Sequence, residues 1–143
     1  MAAITRTAEA AWEGTGKEGS GTLTTPSAIL SGTPYSFARR FENAPGTNPE
    51  ELIAAAHAGF FAMALACGLS KEGFKPKRLH AKAAVRLEPK DGGFAITSSA
   101  LTLHAEVPGI EREQFATIVE GAKSGCPVSK LLNAEVTLEW TLA

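Results

Sequence analysis

Residues 52–67, LIAAAHAGFFAMALAC, restrict the fold of this chain more than any other segment. The run opens behind a helix start signal. Asn48 is a cap residue, Pro49 suits the first helical position, and Glu51 stands three residues after the cap. The pattern predicts a helix from residue 49 to about residue 66, ending at Gly68, roughly 30 Å long at about 1.5 Å per residue. Apolar residues surround it on nearly every side, so it should be buried all round. A subunit of 143 residues can enclose such an element only in part. The expected solution is a homodimer, with the second subunit completing the enclosure. The run is shorter than the roughly 20 apolar residues of a membrane span. It is also alanine-rich and carries His57, so a core helix is expected and no membrane partner.

The remaining elements fall into place around that helix. Residues 2–12, 21–25 and 35–42 are β-prone runs separated by the turn-rich segments GTGKEGSG and SGTP. After the helix, residues 78–87 and 94–107 read as a hairpin across the turn Pro89-Lys-Asp-Gly-Gly93. Residues 111–123 form an amphipathic helix with Phe115, Ile118, Val119 and Ala122 on one stripe. A short helix is expected over residues 127–132, and residues 134–142, AEVTLEWTL, alternate as a closing strand. Strands, helix, strands, helix and strand give an α+β class with segregated layers. No repeat, low-complexity tract or long linker divides the chain, so residues 1–143 are expected to form a single domain.

Charge narrows the partners. There are 14 basic and 15 acidic residues, for a formal net charge of −1. That balance offers nothing to neutralise a phosphate backbone, so no nucleic acid is expected. The start, MAAITRTAEAAW, lacks the basic flank and long apolar run of a signal peptide. With two cysteines, Cys67 and Cys126, reduced thiols and a cytoplasmic location are expected.

Several motifs carry chemistry on paper. Gly14-Thr-Gly16-Lys-Glu-Gly19 imitates a dinucleotide fingerprint, but a threonine-rich strand follows where a helix is required, so it is a turn. His57, His80 and His104 lie far apart and show no metal-ligand spacing. His57 on the long helix should bond a carbonyl or a neighbouring side chain. His80 and His104 read as partly exposed strand histidines, and a site shared between them stays open. Cys126 precedes Pro127 at a helix start, where unpaired N–H groups favour a thiolate; a buried inert cysteine is the plain alternative. Cys67, near a helix carboxyl end, is expected to pack in the core. Arg40 and Glu50 taken alone need no explanation beyond a surface cation and a helix-start carboxylate.

Taken together, seven segments resemble the OsmC branch of the OsmC/Ohr proteins. They are Ala11-Trp12-Glu13-Gly14; Pro34-Tyr35 with Arg40-Phe41-Glu42; Gly46-Thr-Asn-Pro-Glu-Glu-Leu-Ile53; Ala55-Ala-His57 with Met63-Ala-Leu65; Gly92-Gly-Phe94-Ala-Ile-Thr97; Val107-Pro-Gly-Ile110; and Gly125-Cys-Pro-Val-Ser129. They span nearly the whole chain in order. The resemblance implies an intertwined homodimer, two central helices wrapped by antiparallel sheets from both subunits. It also implies reduction of organic hydroperoxides by a cysteine pair, without a bound cofactor and with an external dithiol as reductant. Matched position by position, Cys126 is the resolving cysteine, Arg40 the arginine that stabilises the attacking thiolate, and Glu50 the glutamate that holds the arginine. Glu50 and Phe60 are about 15 Å apart along one helix, so the site is expected to be completed across the dimer interface. The family reads His-Ala-small-Cys-Phe where this chain reads His57-Ala-Gly-Phe60-Phe61. Phe60 therefore stands where the resemblance puts the attacking cysteine, and peroxidase activity is expected to be lost or impaired. Cys67, about 10 Å further along the axis, does not replace it. The competing expectation is a non-catalytic dimer that holds an apolar or fatty ligand in its interface pocket.

Overall fold

The computed structural model describes residues 2–37 and 46–143. Two compact units divide the chain, Met1–Leu52 and Ile53–Ala143. Among the described residues are six strands in two sheets and three helices, an α+β arrangement.

The first unit holds an antiparallel meander of β1 (Glu9–Glu13), β2 (Ser20–Thr24) and β3 (Thr33–Ser36). Gly21 is central to it. It pairs with Trp12 on one side and Tyr35 on the other, and those two rings lie 5.3 Å apart. A Cβ at Gly21 would stand 2.6 Å from ring atoms of both, so only glycine lets the rings close over the strand. All five residues of β1 are exposed, so this small sheet buries little within its own chain. Residues 2–8, expected to be strand, have no regular structure, and no strand among the described residues pairs with them. The latter part of the expected strand over residues 35–42 lies outside the described residues. The loop Gly14–Gly19 is a turn, with Gly14 at φ 93° and the Gly19 N–H donating to the Thr15 carbonyl at 2.7 Å.

Helix α1 (Pro49–Lys71) starts where the sequence places it. The Glu51 N–H donates to Asn48 Oδ1 at 2.7 Å, and Thr47 Oγ1 donates to Glu51 Oε2 at 2.9 Å. It does not stop at Gly68, as the sequence suggested. Gly68 lies inside the helix, where a Cβ would come within 3.3 Å of Ile118 Cγ2, so this glycine serves close helix packing. The true stop is Gly73, at φ 86°, whose N–H bonds the Ser70 carbonyl while the Phe74 N–H bonds that of Leu69. That pair of bonds is a Schellman ending, which needs the left-handed conformation glycine adopts freely. The added turn makes the helix long and apolar enough to cross a membrane by length and composition, with mean hydropathy 1.9 in its most apolar window.

Burial of α1 is also less complete than expected. His57, Phe61, Leu65 and Leu69 form one buried stripe at four-residue spacing. Phe60, Met63 and Cys67 lie on another, which is open in the single chain. Cys67 is thus corrected from a core cysteine to an exposed one: position 67 does not fall on the Phe61–Leu65–Leu69 stripe.

The second unit is built on a sheet ordered β4-β5-β6. Strands β4 (Arg78–Lys90) and β5 (Gly93–Glu106) pair antiparallel, and β6 (Glu135–Leu142) lies parallel to β5. Pro89, expected in the turn, is in the ladder opposite Phe94. The reversal is made by Asp91 and Gly92 alone, both at positive φ, as a two-residue hairpin turn requires. Helices α2 (Arg112–Gly125) and α3 (Pro127–Leu131) connect β5 to β6. Leu101, Leu103 and Ala105 of β5 join Phe61, Leu65 and Leu69 of α1 and Phe115, Val119 and Ala122 of α2 in one core cluster.

Candidate thiol site

Cys126 ends α2 and caps α3. Its N–H donates to the Ala122 carbonyl at 3.0 Å, and its own carbonyl accepts from the Lys130 N–H at 3.0 Å. Pro127 sets the next backbone angle and has no N–H to satisfy. The side chain makes no capping bond and is fully buried in the core cluster. As the chain stands, its sulfur packs as a small apolar group, shielded from solvent.

What ties α3 to α1 is His57. This fully buried ring makes two short hydrogen bonds, Nδ1 with Ser99 Oγ of β5 at 2.6 Å and Nε2 with Ser129 Oγ of α3 at 2.8 Å. Desolvation by burial lowers its pKa from 6.5, which favours the neutral ring. A neutral imidazole has one N–H, so one nitrogen donates to a serine hydroxyl and the other accepts from the second. The sequence reading of His57 as a bonded structural histidine holds. Its partners, Ser99 and Ser129, had no signal of their own, because they lie 42 and 72 positions away.

The consequence for the candidate residues is geometric. His57 is one helical turn before Phe60 and Phe61, and Ser129 follows Cys126 closely on α3. The Ser129–His57 bond brings α3, at whose start Cys126 stands, against the turn of α1 that carries His57. Phe61 shares the buried cluster with Cys126, whereas Phe60 is 40 % exposed on the neighbouring flank. Glu50 lies at the first turn of α1, half-buried, and belongs to the other compact unit. Arg40 lies outside the described residues.

Two other features stand apart. Cys67 opens onto a groove of about 570 Å³ between α1 and α2, lined in part by Ala64, Gly68, Ile118, Gly121 and Gly125; neither Phe60 nor Cys126 borders it. His80 and His104 sit directly opposite in the β4–β5 register with ring centroids 6.5 Å apart, and His104 Nδ1 is 2.6 Å from Thr141 Oγ1. Arg78 and Lys82 share the exposed face of β4 with His80, and no group of three or more His, Cys, Asp or Glu residues suited to a metal occurs among the described residues.

The chain thus has an α+β fold of two sheets, with a buried cysteine at the start of a short helix that Ser129 bonds to the long apolar helix. Residues 41–141 match the family described as OsmC-like protein, and the chain belongs to that family. It is 49 % identical to "Peroxiredoxin OsmC" of Escherichia coli (strain K12) over 139 residues, covering 97 % of each chain. Similarity to the "Organic hydroperoxide resistance protein" of Xanthomonas axonopodis pv. citri (strain 306) is 31 % over 99 residues, 68 % of each chain. Among solved structures, the crystal structure of the organic hydroperoxide resistance protein OhrB of Bacillus subtilis superposes with a TM-score of 0.70. That match has 27 % identity and covers 94 % of this chain and 98 % of that one.

Proposed function

We propose that the chain is a homodimeric, thiol-dependent hydroperoxide reductase of the OsmC type whose attacking thiol is replaced by Phe60. In such a reaction an attacking thiolate takes the distal oxygen of the hydroperoxide. The O–O bond breaks, sulfur is oxidised to a sulfenic acid, and the alkoxide leaves and is protonated. A resolving thiol then attacks the sulfenic sulfur, forming a disulfide and releasing water, and an external dithiol reduces the disulfide by exchange. In this reading Cys126 is the resolving thiol, Arg40 stabilises the thiolate and the departing alkoxide, and Glu50 holds Arg40. The relatives' names support the hydroperoxide as substrate class.

The observation that carries the assignment of Cys126 is the Ser129–His57 bond, which fastens its helix beside the turn of α1 bearing residue 60. The open apolar stripe of Phe60, Met63 and Cys67 supports the homodimer, because a second subunit would remove it from water. Both cysteines are free, in keeping with a reducing compartment such as the cytoplasm. A phenyl ring at position 60 supplies no nucleophile, so the chain turns over little peroxide. Introducing Phe60→Cys is expected to raise dithiol-dependent loss of cumene hydroperoxide by orders of magnitude, measured by peroxide titration. Equal turnover by the unaltered chain overturns this assignment.

The exposed Phe60 and Met63 also favour a second reading, a pocket for an apolar or fatty ligand without chemistry. Native mass spectrometry after gentle purification distinguishes it: retained fatty acid supports this reading, and an empty dimer with no affinity for added oleate rejects it.

A further inference from the structure

We infer that His57, Ser99 and Ser129 are positioning residues that hold Cys126 opposite position 60 and so set how readily thiols at those two places join. The inference rests on the reading of that pair as the reacting site and adds the residues that fix its geometry. Two contacts tie the α2–α3 arm to α1. Gly68 of α1 packs so closely on α2 that a Cβ there would come within 3.3 Å of Ile118 Cγ2. Nearer the start of α1, His57 Nε2 meets Ser129 Oγ of α3 at 2.8 Å. Going back from Gly68 to His57 covers as many residues as going forward from Ile118 to Ser129, so the arm runs antiparallel to α1 with matched spacing. Ala64, Gly121, Ala122 and Gly125 line one groove between these contacts, as that register requires. The same register sets residue 60, one turn beyond His57, opposite Cys126, which precedes Ser129 by an equal count.

Of the two ties, the polar one governs α3. This helix has five residues, none of them buried; Val128 touches the edge of the core and Leu131 is 79 % exposed, so apolar packing does little to place it. His57 and Ser99 are fully buried, and Nδ1 of the ring bonds Ser99 Oγ at 2.6 Å in β5, the middle strand of its sheet. A ring held at both nitrogens cannot turn without losing a buried hydrogen bond, so α3 is fixed to α1 and to the sheet at once. A disulfide needs such fixing, because it accepts only Cα separations of about 4.4–6.8 Å. With the tie in place the arm is ordered before the sulfurs meet. Without it the ordering accompanies bond formation, and the equilibrium toward the disulfide weakens.

The test uses the full chain carrying Phe60→Cys and Cys67→Ser, so that its thiols stand at positions 60 and 126 alone. In glutathione buffers this dithiol exchanges with oxidised glutathione: two protein thiols become one internal disulfide, and two molecules of reduced glutathione are released. Ser129→Ala is expected to lower that equilibrium constant about tenfold or more, a rise in potential of about 30 mV per tenfold. Ser129→Thr, which keeps a hydroxyl, should retain the original value. Ser99→Ala, which releases the far end of the ring, should shift the potential in the same direction. Urea melts of the reduced variants report fold stability separately. A potential that stays put in both alanine variants while the melts fall makes the network merely structural and overturns the inference. Failure of the Phe60→Cys chain to close any internal disulfide in oxidised glutathione overturns it too. Glutathione takes the place of the hydroperoxide here, so the two readings fail separately: a protein that closes the disulfide yet leaves cumene hydroperoxide untouched defeats the proposed reaction and keeps the positioning role.

Discussion

His57 shows how much one residue can decide here. Its ring is enclosed between Ser99 and Ser129, and burial lowers its pKa below 6.5. The unfolded chain, whose histidine keeps the ordinary value, then binds a proton more readily than the folded one. Stability from this group is complete above pH 6.5 and is lost as the pH falls toward the folded value. Denaturant melts at pH 7.5 and 5.0 are expected to show a larger acid loss for the unaltered chain than for His57→Gln. Parallel losses would remove His57 from the account of acid stability. Phe60 and Phe61 show the same sensitivity from the other direction. They are adjacent and chemically identical, yet one is 40 % exposed and the other fully buried, because about 100° of helical rotation separates them.

At the level of the element, α1 is defined by its two ends and divided by its faces. The Asn48 cap was legible in the sequence, because capping depends on residues within one turn. The other end was not. Gly68 and Gly73 look alike in the sequence, and only the neighbour at Ile118 and the positive φ at 73 assign one to packing and the other to termination. Gly73→Ala should therefore lower stability by about 1–2 kcal/mol in urea melts, the cost of a left-handed alanine. A gain in stability would mean that the helix end is made another way. The buried stripe of α1 was unreadable for a related reason: alanine and large apolar residues surround the axis, so composition gives no preferred face, and the sheet it meets chooses one.

For the whole molecule, the open features of the single chain point to assembly. All of β1 is exposed, and the α1 stripe of Phe60, Met63 and Cys67 faces solvent. Met63→Lys tests the dimer sharply. On a lone subunit Met63 is 56 % exposed, so a lysine there should change subunit stability by about 0.5 kcal/mol or less. At an apolar interface the same charge is expensive to bury. Sedimentation velocity should show a dimer for the unaltered chain and a monomer for the variant; an unaltered chain that sediments as a monomer removes the second subunit from the proposed site.

Local chemistry settled much in advance: the α+β class, the helix start at Asn48, the existence of the β4–β5 hairpin though not its two-residue turn, the amphipathic stripe of α2 and the family resemblance. Each depends on residues near one another in the chain, where spacing maps directly onto geometry. Other features needed tertiary structure: the exposure of Cys67, the burial of Cys126, the face that α1 buries, and the hydrogen bonds joining His57 to Ser99 and Ser129. Those are contacts between segments far apart in the chain. Their existence depends on how the sheet and helices pack, which no local pattern of residues encodes.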